Sequence, residues 1–239
     1  MSFHLGRSHL ALLLAIPAMV CNFATPGAFV SAAEAVVRNT DQDSQKLPSS
    51  EGFTPLFNGK NLDGWIQRNG WATYRIKGDA IVGKTAEGSP NSFLCTQKNY
   101  GDFELRFQVK VDNELNSGVQ IRSKSIPEQD NGRVHGPQVE IEASPGESGY
   151  IYGEATTRNW ISPTQPPHSH LKNDEWNQYH IRAVGTRTQV WINGKLVEDL
   201  TDPNSSTEGF IGLQVHSIGA NSGPFKVRWK NIEIKELKQ

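Results

Sequence analysis

The sequence predicts an all-β fold of two packed antiparallel sheets, a sandwich or jelly roll. Apolar and polar residues alternate over several short runs, glycine-containing dipeptides sit between such runs as hairpin turns, and no amphipathic segment of helical length occurs. The composition agrees, since 22 Gly, 13 Pro, 10 Phe, 6 Trp and 5 Tyr in 239 residues favour strands and turns over long helices.

The chain opens with a leader rather than with the fold. Arg7 supplies a small positive region, Leu10 to Val20 an apolar run, and Ser31-Ala32-Ala33 small residues suited to cleavage, so residues 1–33 are expected to be a secretory signal. The run is too short to span a bilayer, which takes about 20 residues, and no transmembrane anchor is expected. Cys21 suggests lipid attachment, but Val20 is bulky where such sites take a small residue. Residues 34–50 are polar, Pro- and Ser-bearing and aperiodic, and read as a linker. Residues 51–239 form the expected domain.

Within that domain the clearest strand is Phe103 to Val111, where Phe103, Leu105, Phe107, Val109 and Val111 alternate with Glu104, Arg106, Gln108 and Lys110. Similar alternation marks Val119 and Ile121, Val139 and Ile141, Val190 and Ile192, and Ile211, Leu213 and Val215. Gly78-Asp79 and Asn193-Gly194 read as hairpin turns that supply positive φ. Cys95 is the one cysteine left once the leader is removed, so no intrachain disulfide and no cysteine-rich zinc site is expected. It reads as a small core residue rather than a nucleophile.

The charge balance, 24 basic against 25 acidic residues, gives no pull toward phosphate backbones, and nucleic acid is not an expected partner. Neither a phosphate-binding glycine loop, a dinucleotide fingerprint, HExxH nor GxSxG is present. His168 and His170 have a spacing that can hold a metal, but they sit in a proline-rich loop and alone are weak grounds for one.

The polar faces of the strands carry the chemical signal. Beside the lysine-bearing face of Phe103 to Val111, three other strands present Gln120 and Arg122; Gln138, Glu140 and Glu142; and Gln214 and His216. These lack lysine and are rich in directional hydrogen-bonding groups. Residues at i, i+2 and i+4 share a face, so an amide and two carboxylates are expected side by side, and two like charges in a cleft would raise one pKa, giving a proton donor beside an acceptor. A solvated edge carrying ordinary carboxylates is the other reading. His135 leads into this strand, and Tyr152, Glu154 and Trp160 follow it. Aromatics and acids around one strand suit a sugar, with rings against C–H patches and Glu, Gln and Arg on hydroxyls, although Tyr152 or Trp160 can equally be core.

Six blocks carry a family resemblance: Gly52 to Trp65 (GFTPLFNGKNLDGW), Asn116 to Arg122 (NSGVQIR), Glu175 to Tyr179 (EWNQY), Trp191 to Gly194 (WING), Gly212 to His216 (GLQVH) and Lys230 to Leu237 (KNIEIKEL). Together and in this order they resemble the 3-keto-disaccharide hydrolase family, also described as 3-keto-glucoside lyase and 3-keto-glucal hydratase. The resemblance implies a concanavalin A-like jelly roll in exported bacterial proteins, periplasmic or secreted, that act on oxidised (3-keto) sugars or glycosides. It implies a base at Glu140 or Glu142, an enolate stabiliser in Arg122 or a divalent ion, and an acid in His216. Gln120, Arg122, His135, Gln138, Tyr152, Glu154, Trp160 and Gln214 are the expected substrate contacts, and no metal ligand is assigned.

The family's strand commonly begins with an acid where this chain has Gln138. Similar jelly-roll glucanases use the first Glu of Glu-x-Asp-x-Glu as nucleophile, a role Gln138 cannot fill, which disfavours a retaining β-glucanase unless Glu140 and Glu142 themselves lie about 5.5 Å apart across a scissile bond. A noncatalytic carbohydrate-binding domain and a conventional glycoside hydrolase are the alternatives, because one fold hosts many functions.

Overall fold

A computed structural model describes Val37–Arg38 and residues 51–238. In chain order its strands are β1 (Val37–Arg38), β2 (Thr54–Pro55), β3 (Trp65–Arg68), β4 (Thr73–Lys77), β5 (Ala80–Lys84), β6 (Ser92–Thr96), β7 (Phe103–Val111) and β8 (Ser117–Ser123). They continue as β9 (Gly136–Ile141), β10 (Ile151–Glu154), β11 (Asn159–Trp160), β12 (Asn177–Val184), β13 (Arg187–Ile192), β14 (Lys195–Thr201), β15 (Phe210–Val215) and β16 (Lys226–Glu236). A 3₁₀ turn at Asp130–Gly132 is the one helical element among the described residues.

These strands make the expected two antiparallel sheets. The nine-stranded sheet runs β1-β14-β13-β12-β7-β16-β5-β4, with β2 also on β16, and the seven-stranded sheet runs β11-β10-β9-β8-β15-β6-β3. The leader expected over residues 1–33 lies outside the described residues. Within the expected linker, Val37 and Arg38 pair with Thr201 and Leu200 as an edge strand.

The alternation on β7 buries Phe103, Leu105, Phe107, Val109 and Val111 in the space between the sheets. Val119 and Ile121, Val139 and Ile141, and Ile211, Leu213 and Val215 meet them from the seven-stranded sheet. Asn193 and Gly194 both have positive φ (50° and 78°), as the tight β13–β14 turn requires, and Gly78 does the same between β4 and β5.

With the odd-numbered residues of β8, β9 and β15 turned into the core, the opposite face of the seven-stranded sheet is free to carry polar side chains. Half of that face is closed by a separate small cluster of Phe93, Cys95, Val134 and Phe210. Residues 124–135 fold over it: Arg68 reaches Ser125 Oγ at 3.2 Å and stacks on Phe210, and the Val134 N–H donates to Asn69 Oδ1 at 2.9 Å. Cys95 lies beneath, fully buried, and burial pushes its thiol up to about 12, so it is a core residue as expected.

Candidate active site

The other half of the same face opens into a cleft of about 600 Å³. Of the residues singled out from the sequence, Gln138 and Glu140 on β9, Tyr152 and Glu154 on β10, Trp160 on β11, Gln214 on β15 and His216 just past it line this cleft. Asn91, Asn116, Arg133, Asn159 and residues 155–157 complete the walls. A second lobe of about 450 Å³ shares Asn91, Arg133, Glu154 and His216 with the first and extends to Asn69, Pro90, Asp130, Asn131 and Ser217.

Glu140 is the most perturbed acid of the cleft. It is 5% exposed, Gln138 Nε2 donates to its Oε1 at 2.6 Å, and Asn116 Nδ2 donates to its Oε2 at 3.1 Å. Burial, which penalises the charged form, pushes its pKa up to about 8; the two amide hydrogen bonds pull it down, and Glu142 and Glu154 add to the rise. Glu154 is also held above the usual carboxylate range by burial, against Arg133, Asn91 and His216, which lower it. Its contacts are loose: Arg133 at 3.6 Å, Asn91 and Gln214 at 3.4 Å.

His216 turns Nδ1 to the Ser217 carbonyl at 2.8 Å, an arrangement that needs the proton on Nδ1 and leaves Nε2 for other partners. Tyr152 and Trp160, paired across β10 and β11, are half-buried and meet edge to face with ring centroids 5.4 Å apart. They form an aromatic wall of the cleft, which answers the question of core or surface left open by the sequence.

Four expected site residues lie elsewhere. Gln120 is completely buried beneath the cleft floor, held between Ser123 and Gln138, and does not line the cleft. Arg122 is 2% exposed and turned away: it donates to the Gly101 and Gly185 carbonyls at 2.8 and 2.6 Å and pairs with Asp102 at 2.9 Å. The cause is a register shift between β8 and β15, with Arg122 at φ 49°, which breaks the alternation expected from Gln120 to Arg122. Gly209 makes the shift possible, because a Cβ there would lie 2.3 Å from the Arg122 backbone.

Glu142 follows the end of β9. Its N–H donates to Ser148 Oγ and its carboxylate accepts the Glu147 N–H, so it organises a turn instead of facing the cleft. His135 lines a separate pocket of about 220 Å³ with Lys124 and Arg158, its Nδ1 3.1 Å from the Arg133 carbonyl. The two carboxylates that line the cleft are therefore Glu140 on β9 and Glu154 on β10, on neighbouring strands rather than on one.

The residues also bear on a bound ion. Among the described residues no group of three or more His, Cys, Asp or Glu side chains is arranged to hold a metal. Both ring nitrogens of His168 are engaged, Nε2 on the Ser148 carbonyl and Nδ1 on the His170 N–H. In the cleft, Glu154, His216 and the unpartnered, buried Oε1 of Gln214 are the donors an ion would meet. This falls short of a complete ligand set for a metal ion.

Comparison with known structures agrees on the fold. A candidate glycosyl hydrolase from Parabacteroides distasonis superposes with a TM-score of 0.55 at 20% identity, covering 79% of this chain and 95% of that one. The carbohydrate-binding module CBM66 from Bacillus subtilis gives 0.53 at 17% identity over 74% and 98% of the chains. A Bacillus licheniformis β-glucanase gives 0.54 at 11% identity over 78% and 97%. These likenesses are of the jelly-roll fold. No curated protein matches the sequence. Residues 52–235 match the family model described as the 3-keto-alpha-glucoside-1,2-lyase-like domain, nearly the whole described fold, and the chain belongs to that carbohydrate-active family.

Proposed function

We propose that this protein cleaves 3-keto glycosides by removing the C2 proton, eliminating the C1 substituent and adding water to the resulting enone. The observation that carries the reading is a deeply buried, amide-bonded Glu140 with a proton affinity near neutrality, facing a polar cleft with one aromatic wall. A base works best when its pKa lies near the operating pH, and Glu140 satisfies that condition.

The ketone at C3 acidifies the C2 proton, so the protein need not attack the anomeric carbon. Glu140 takes the C2 proton, and the C–H electron pair moves into an enolate whose negative charge rests on the C3 oxygen. Arg133, the guanidinium that borders both lobes, takes over the stabilising role expected of Arg122. The enolate expels the C1 oxygen, to which His216 delivers a proton from Nε2. Water then adds, with oxygen at C1 and hydrogen at C2, to give the free 3-keto sugar. The two joined lobes suit a sugar with a polar leaving group. The protein is exported through the leader expected over residues 1–33.

The test is incubation of the purified protein with a 3-keto disaccharide and with its unoxidised parent. Release of the leaving sugar from the 3-keto compound alone is expected. Glycan binding without turnover of either would favour a binding module, and release from the parent alone would point to an ordinary glycoside hydrolase.

A further inference from the structure

Beneath the cleft floor a row of side chains leads away from Glu140. Ser123 Oγ donates to Gln120 Oε1, Gln120 Nε2 donates to Gln138 Oε1, and Gln138 Nε2 donates to Glu140 Oε1, each at 2.6 Å. Ser123 and Gln120 are 1% and 0% exposed, so neither touches a ligand in the cleft. An amide has a donor end and an acceptor end, so the direction of the first link fixes every later one.

We propose that Ser123 and Gln120 are positioning residues that keep the amide nitrogen of Gln138, rather than its carbonyl, turned toward Glu140. The inference rests on Glu140 being the base of the reaction. In this direction Glu140 is an acceptor at both oxygens, the arrangement that an ionised carboxylate needs. If Gln138 turned over, its carbonyl oxygen would face a carboxylate oxygen at hydrogen-bond distance, which is tolerable only when Glu140 carries a proton.

The row has a second, weaker arrangement. Gln120 Nε2 can donate to Ser123 Oγ only if the Ser123 hydrogen leaves its 2.6 Å contact for the Pro137 carbonyl at 3.2 Å or the Ile121 carbonyl at 3.3 Å, so the first direction is the better bonded. Row direction and Glu140 protonation are thereby coupled: one direction goes with the ionised acid, the reverse with the neutral one. The other groups facing Glu140 are Glu142 just beyond its own strand, Glu154 on β10, Asn116 ahead of β8, and Tyr179 on β12, whose hydroxyl lies 3.3 Å from the Glu140 carbonyl; His216 and Arg133 act through Glu154. They set the background proton affinity, on which the row acts as a separate, uncharged control.

The experiment follows the Glu140 carboxyl carbon by NMR titration in the whole protein, with Ser123→Ala and Gln120→Met as neutral variants. Loss of about one hydrogen bond's preference for the ionised form should raise the Glu140 midpoint by roughly half a pH unit in Ser123→Ala and about one unit in Gln120→Met. The rising limb of the pH–rate profile should move with it. A folded variant of either kind that leaves the midpoint where it was overturns the proposal, and Ser123→Ala decides alone if Gln120→Met does not fold. The titration needs no substrate, so a shifted midpoint in a protein inert toward 3-keto glycosides would refute the functional reading while keeping the relay.

Discussion

Gly118 lies directly beneath Gln138: a Cβ at position 118 would stand 2.5 Å from the Gln138 amide carbon and 2.8 Å from its nitrogen. The Gln138 side chain rests on bare backbone of β8, and this lets its amide reach both Gln120 and Glu140. Gly118→Ala forces Gln138 off that floor. We expect kcat on a 3-keto glycoside to fall by about 10-fold or more, as misplacement near the base does, with a far-UV spectrum unchanged from the parent. Retention of full kcat in a folded variant would show that Gln138 is not needed in its present place.

The raised Glu140 carboxyl makes stability depend on pH in a defined direction. The folded state holds the proton up to about pH 8, whereas the unfolded chain releases it near 4.5. The stabilisation from burying the neutral acid is therefore fully present below pH 4.5 and is lost as pH rises through about 8. Thermal melts of the wild type should show Tm declining across this window after correction for other groups. Glu140→Gln, which carries no proton to lose, should flatten the decline and reduce kcat by about 100-fold or more. An unchanged slope in Glu140→Gln would refute the titration assigned to this residue.

Arg122 and Asp102 make a buried pair away from the cleft. Arg122→Met leaves Asp102 with the Gly185 N–H as its remaining hydrogen-bond donor and strips the Gly101 and Gly185 carbonyls of theirs. Breaking a buried pair in this way should cost about 3 kcal/mol, or roughly 10 °C in Tm for a domain of this size. The KM of the folded fraction should stay within about twofold. A KM rise of 10-fold with unchanged Tm would return Arg122 to the substrate site.

Much of the fold was legible because its signals are local. The alternation of β7 and the Asn193-Gly194 turn depend on neighbouring residues, and the structure keeps both. The fate of Arg122 is set by Gly209, 87 positions away, whose missing side chain admits the register shift; no period-2 pattern contains that information. Glu142 followed the right alternation on paper, but Ser148 Oγ claims its N–H and ends the strand one residue sooner. His135 stands an odd number of residues before Gln138, a parity that already pointed away from the cleft. Asn116, Asn91 and Arg133 come from segments flanking the strands, where periodicity says nothing; only Asn116 lay inside one of the blocks that carried the family resemblance.

Cys95 offers a check on the closed half of the outer face. Its thiol is fully buried among Phe93, Val134 and Phe210. A thiol reagent at pH 8 should leave Cys95 of the folded protein unlabelled for hours and label it at once in denaturant. Fast labelling of Cys95 in the native protein would mean that residues 124–135 open readily and that the cleft has a wider mouth than described.

The proposed reaction begins at C2 and not at the anomeric carbon. Turnover of a 3-keto disaccharide in deuterium oxide, followed by proton NMR of the product, separates the two. The released 3-keto sugar should carry deuterium at C2, and Glu140→Gln should slow both release and exchange by about 100-fold or more. Release of a sugar that keeps its original C2 hydrogen would contradict it.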